Sequence, residues 1–243
     1  MKRILTNVLI AALLLQATLT AAAYGTAEPV LEQHIFIHYA KETKAKPPAA
    51  STGYYKLLGA KWKTLPIKLE VNPTNPNGLS NEFISNAVTW AAGEWDDGAV
   101  SSWGGVSATL FAELSIDSDD SFETLAWSSS LLDGENTIVW GDYGQAGVIA
   151  VTLIWSNRVT KAIVEFDMVL DTDFTWGDAS VGVGVMDLQN IVTHELGHGL
   201  GLGDVYQYAA WQETMYGYAA NGETIKRSLY IGDITGIKKL YGP

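Results

Sequence analysis

The eleven residues His194-Glu195-Leu196-Gly197-His198-Gly199-Leu200-Gly201-Leu202-Gly203-Asp204 constrain this chain more than any other stretch. Leu188, Ile191, Val192 and Glu195 follow helical spacing, which predicts a helix starting near Asp187. On that helix His194 and His198 are four apart, so both rings lie on one face one turn apart. Two imidazoles so placed can meet one zinc ion at roughly 2.0–2.1 Å each. Glu195 projects beside them, within reach of a proton on a zinc-activated water. A catalytic zinc needs a third protein ligand and an open position. Gly199, Gly201 and Gly203 let the chain leave the helix through the left-handed region and double back, delivering the hard oxygen of Asp204. Two histidines at this spacing also occur on plain solvated helix faces; the glycine-rich tail sets this stretch apart.

Composition narrows the ligand set. The chain has four histidines and no cysteine, so thiolate ligands, disulfides and a cysteine nucleophile are excluded. The third ligand is then a carboxylate, Asp204 or the less suitably spaced Glu213, or one of the N-terminal pair His34 and His38. Asp and Glu number 27 against 15 Lys and Arg, a formal charge of −12. Such a surface repels phosphate backbones and argues against nucleic acid as a partner.

The N-terminus reads as a signal peptide over residues 1–23. Lys2 and Arg3 precede an apolar run that is short for a membrane span, and Ala21-Ala22-Ala23 offers a small-residue cleavage site. A secreted protein with no stable membrane insertion is expected. Residues 24–55, with Lys41, Lys44, Lys46, Pro47 and Pro48, read as an irregular lead-in or prosegment in which His34-Ile35-Phe36-Ile37-His38 could form a short strand. Residues 56–243 are the expected functional domain.

Within that domain Ile67, Leu69 and Val71 alternate as a strand. Ser80 caps a helix whose apolar positions are Ile84, Ala87, Val88, Ala91 and Trp95. Strands are expected at 108–115, 137–140, 148–154 and 162–170, the last two joined by a turn at Trp155-Ser156-Asn157-Arg158. The 187–195 helix and one over 231–241 follow. Trp62, Trp90 and Trp95 are expected in the core. The order predicts an α+β fold, not a regular βαβ array.

The zinc stretch resembles the extended motif of the metzincins, H-E-x-x-H-x-x-G-x-x-H/D, with the less common aspartate at its end. Glu213-Thr214-Met215-Tyr216-Gly217-Tyr218-Ala219 resembles their methionine turn, which makes Met215 an apolar floor under the metal. Gly147-Val148-Ile149-Ala150-Val151, Phe166-Asp167-Met168-Val169-Leu170-Asp171-Thr172-Asp173-Phe174-Thr175-Trp176 and the helix containing Asp233 are similar to segments of the matrixins, over about residues 61–242. The resemblance implies a twisted mixed β-sheet with three main helices and a cleft between an upper sheet subdomain and a small lower one. It implies Asp204 as third zinc ligand and Asp233 as brace of the methionine turn. An extended polypeptide substrate would bond to the backbone of Val148, Ile149 and Ala150. Tyr216 and Gly217, with Tyr218, would line the pocket after the cut, and Tyr218 would steady the oxyanion.

Two departures stand out. With two of four histidines in the lead-in, a second, structural zinc is not expected, and a prosegment cysteine cannot enforce latency. Calcium at Asp171, Asp173 and Asp178, or at Asp117, Asp119 and Asp120, is matched evenly by a reading as solvated acidic loops. The expected activity is that of a monomeric zinc endopeptidase, with Glu195 as general base. The alternatives are a non-catalytic zinc-binding interaction module on the same fold and a zinc peptidase with a distant glutamate ligand.

Overall fold

The computed structural model describes residues 30–40, 53–101 and 105–243. The signal-peptide reading and the lysines of the lead-in lie outside these residues. The elements run β1 (Leu31–Ala40), β2 (Lys56–Leu57), β3 (Glu70–Val71), α1 (Asn81–Val100), β4 (Ser115–Ile116), β5 (Thr137–Gly141), β6 (Val148–Asn157), β7 (Ala162–Asp171), β8 (Trp176–Gly177), β9 (Met186–Asp187), α2 (Leu188–Gly199), β10 (Leu202–Gly203), β11 (Tyr218–Ala219) and α3 (Ile231–Tyr241).

The main sheet has the order β11-β1-β6-β7-β5-β3-β4 and is mixed. Its centre is the antiparallel hairpin β6–β7, whose Val-, Ile- and Leu-rich strands are buried on both faces. The hairpin turn falls at 158–161, with Lys161 at φ 56°, and not at 155–158 as expected. Trp155 stays in the strand because its ring is buried and its indole N–H donates to Ala126 O at 2.8 Å. The strands expected at 67–71 and 108–115 shrink to two residues each, linked by a bridge from Ile67 to Phe111.

Ser80 caps α1, its hydroxyl accepting the Phe83 N–H at 3.2 Å. The helix buries Ile84, Ala87, Val88, Ala91 and Trp95 as the spacing predicts. Trp90 does not join the core: five residues from Trp95, it faces the opposite side and is 58% exposed. Trp62 is half-buried and packs against the core. Trp95 anchors α1 to α2 with a 2.7 Å bond from its indole to Thr193 O. Asp187 caps α2 by accepting the Asn190 N–H at 2.9 Å. Nearly every residue of α2 is buried between the sheet and α1. Three α-helices, this mixed main sheet and two small two-stranded sheets, β2–β10 and β8–β9, make an α+β fold among the described residues.

The irregular reading of 24–55 fails for its middle. Residues 31–40 form a ten-residue strand, of which the expected short strand at His34–His38 is only part. It adds antiparallel to β6 over almost its whole length, and its end runs parallel to β11.

Candidate active site

The site grows from α2. Its exit is forced by Gly201 at φ 102°, where a Cβ would fall 2.5 Å from Ala60 O, so only glycine fits the doubling-back chain. The returning segment carries Asp204 beneath the two histidines. Asp204 Oδ1 lies 3.2 Å from His194 Nε2 and 3.5 Å from His198 Nε2. The ring orientations are set from behind. His194 Nδ1 donates to Thr214 O at 2.7 Å and His198 Nδ1 to Leu202 O at 3.0 Å, which leaves both Nε2 lone pairs facing Asp204. His194 Nε2 and Asp204 Oδ1 are buried and lack a properly formed hydrogen bond. Two converging imidazole nitrogens and one carboxylate oxygen, two of the three orphaned, fit a zinc ion.

Electrostatics favour that fit at His194 and Asp204 but not at His198. Burial, with His38 nearby, lowers the His194 pKa to about 4, keeping the ring neutral. Burial also pushes the Asp204 carboxyl upward, but the two imidazoles outweigh it and hold the group far below the usual carboxylate range. For His198 the pull of Asp204 exceeds the burial penalty and the net shift is upward. Burial raises Glu195.

The floor is Met215, buried under α2. Its turn is braced by Asp233, which accepts the N–H of Thr214 at 2.7 Å and of Met215 at 3.0 Å while capping α3 through Tyr230 N. Tyr216 is buried. Gly217 passes so close to Tyr206 that a Cβ would meet its ring at 2.4 Å. Tyr218 lies in β11, its ring 5.4 Å from that of Tyr206 and 5.7 Å from that of Tyr216.

Val148, Ile149 and Ala150 begin β6, which is not an edge strand here, because β1 pairs along it: Tyr39 lies opposite Val148 and His38 opposite Ala150. The alternating positions of β1 turn inward. Phe36 stacks on His198 at 4.0 Å, and the His38 ring lies 4.0 Å from that of His194. His38 Nδ1 is 3.1 Å from Glu195 Oε1, while Thr152 Oγ1 donates to Glu195 Oε2 at 2.6 Å.

Sequence reasoning named His38 only as a possible third metal ligand, not as a partner of Glu195, and it missed Thr152 and Lys226. The inward phase of His38 was readable in the alternation of His34-Ile35-Phe36-Ile37-His38. Lys226 is fully buried below Tyr218, donating to its carbonyl at 2.8 Å and paired with Glu223. The acidic groupings also differ from expectation. Asp171 and Asp173 gather with Asp142, since Asp178 is held by Arg227 at 2.6 Å. Asp120 gathers with Asp133 and Glu135, not with Asp117 and Asp119.

A histidine-bearing helix, a glycine turn that returns a carboxylate beneath it and a methionine loop as floor place this fold in the metzincin class. The sequence profile of the matrixin family matches residues 61–242, and the chain belongs to that family. It is 30% identical over 145 residues to Metalloendoproteinase 1-MMP of Arabidopsis thaliana, a match covering 60% of this chain and 36% of that protein.

Proposed function

We propose that this protein is a secreted, zinc-dependent endopeptidase in which His194, His198 and Asp204 hold the metal and Glu195 is the general base. The observation that carries this reading is the convergence of the two Nε2 atoms on the orphaned Asp204 Oδ1. Zinc there would act as a Lewis acid toward the scissile carbonyl and acidify the attacking water. Glu195 takes the proton from that water and returns it to the leaving amine. Thr152 ties up Glu195 Oε2, which makes Oε1 the proton-accepting atom and fixes its direction. The polypeptide substrate lies extended along Val148, Ile149 and Ala150, its next side chain entering between Tyr216, Gly217 and Tyr218.

Hydrolysis of casein by purified protein, abolished by a chelator and restored by zinc, tests this reading. Zinc at one per chain without any hydrolysis counts against it. It favours instead a non-catalytic zinc-binding module, a reading that the complete burial of Glu195 under β1 keeps in play.

A further inference from the structure

A site that hydrolyses polypeptides must admit one, yet here it is sealed. His194 and Glu195 have no exposed surface, and His198 is 1% exposed. The seal is β1. It lies between β6 and β11, antiparallel to the first and parallel to the second, where an extended substrate would have to lie. Both of its ends are tied to β6, by Arg158 N to Val30 O and by Ala40 N to Gly147 O, each at 2.8 Å. Its register breaks between His38 and Tyr39, where the strand passes over Glu195 and its last two residues pair with β11 as well. The occupant also touches the chemistry. Phe36 covers His198, and His38 sits on Glu195 Oε1, the oxygen that Thr152 leaves free. His38 Nε2 is buried and lacks a well-formed hydrogen bond.

We propose that Leu31–Ala40 is a self-held occupant of the substrate cleft, bound in the place of a substrate strand, with His38 blocking the general base so that this form of the chain is latent. The inference rests on the peptidase reading above and names the regulation of that site. It assigns to an imidazole and a β-strand the blocking role that a chain without cysteine cannot give to a thiol. Opening requires only that β1 leave its two neighbours, because β6 remains paired with β7 on its other side.

The test uses the full chain with Phe36→Pro and Ile37→Pro together. Backbone N–H groups of adjacent residues point to opposite edges of a strand, so one of the two prolines removes a bond to β6, the strand that β1 pairs with at these positions. The expected result has three parts: zinc retained at one per chain, faster amide exchange along β6, and peptide hydrolysis raised by about tenfold or more as the competent fraction grows. Added peptide of the sequence LEQHIFIHYA should lower that rate again, and the same peptide carrying H38A should do so less well. Equal hydrolysis by parent and variant, with exchange along β6 raised, overturns the inference and leaves the peptidase reading intact. An opened, zinc-loaded variant that binds the free peptide but hydrolyses nothing supports the occupant and sinks the peptidase reading. Should the double variant fail to fold, His38→Ala and exchange in the unmodified chain decide. Latency requires faster hydrolysis in His38→Ala and amides of β1 that open before those of β7. A His38→Ala rate no higher than the parent's, or β1 and β7 opening together, makes β1 a scaffold strand and overturns the inference.

Discussion

Gly197 packs so tightly on Met215 that a Cβ at position 197 would fall 2.2 Å from the methionine sulfur, with the Trp95 ring at 2.7 Å. The helix that carries the histidines and the turn beneath it therefore interlock through a missing side chain. The sulfur sits on a flexible arm and can move, but Trp95 is held by its bond to Thr193 O and cannot. Gly197→Ala is expected to destabilise the fold by about 1–3 kcal/mol through overpacking. It should also tilt α2 enough to weaken zinc binding. Thermal unfolding and a zinc titration check both; a variant with unchanged midpoint and zinc affinity would show that the interlock carries no strain.

Glu195→Gln separates metal binding from catalysis. Glutamine keeps the shape and can still accept from Thr152, so zinc should be retained. Loss of the general base should lower the rate by about 10²–10⁴-fold. Retention of more than about a tenth of the parent rate, with zinc bound, removes Glu195 from that role.

Asp204→Ala should lose zinc or hold it far more weakly, because no other carboxylate joins His194 and His198 in that cluster among the described residues. Asp204→His should keep the metal. A neutral ligand leaves zinc the stronger Lewis acid, so the acidic limb of the pH–rate profile should move downward. Metal analysis is the direct check; tightly held stoichiometric zinc in Asp204→Ala means another residue closes the site.

The cluster of His194, His198 and Asp204 was legible in the sequence because the three lie within eleven residues and one helix turn fixes the relation of the two histidines. Met215 and Asp233 were legible only through resemblance, since neither residue type announces a role alone. Strand pairing is where the sequence fell silent. The alternation around His38 marks a strand but names no partner, and β1 finds its own in β6, over a hundred residues on. Lys226 was hidden for a different reason: a lysine reads as solvated until Glu223 and the Tyr218 carbonyl are seen to satisfy it. Trp90 was a misreading that helical phase could have prevented.

Away from the His194–His198–Asp204 cluster, two buried carboxyls on β7, Glu165 and Asp167, make stability pH-dependent. Burial, with Asp167 and Asp133 as like-charged neighbours, raises Glu165 from 4.5 to about 7; burial raises Asp167 from 3.8 to about 6. The folded chain thus keeps protons that the unfolded chain has released. Stability is full below the unfolded values and falls as pH climbs through the folded ones. The melting temperature should drop between pH 5 and about 7.5. Glu165→Gln, which cannot ionise, should show a shallower drop at equal zinc loading. Parallel melting curves for the two proteins across that range would rule out Glu165 as the source.

Side-chain preference after the cut depends on Lys226. The proposed pocket has Tyr216 and Tyr218 as walls, and the Lys226 ammonium lies 5.9 Å from the centre of the Tyr216 ring. An unpaired buried ammonium there would select acidic side chains. This one is not unpaired: Glu223 neutralises it and the Tyr218 carbonyl accepts one of its protons at 2.8 Å. Burial lowers the Lys226 pKa and Glu223 pulls it back up, so the pair acts as a closed unit. With the charge cancelled, the aromatic walls dominate, and an apolar or aromatic residue is the expected preference. Glu223→Gln breaks the cancellation without emptying the pocket. It should raise cleavage before Asp and Glu, relative to apolar residues, by about tenfold, the size of one charge contact left without its partner. Cleavage-site mapping on a peptide library, with β1 displaced or removed, measures both proteins. A dominant preference for Asp or Glu in the parent would show that Glu223 does not cancel the charge; a dominant preference for Lys or Arg there, or no change of preference in Glu223→Gln, would show that Lys226 does not face the bound side chain.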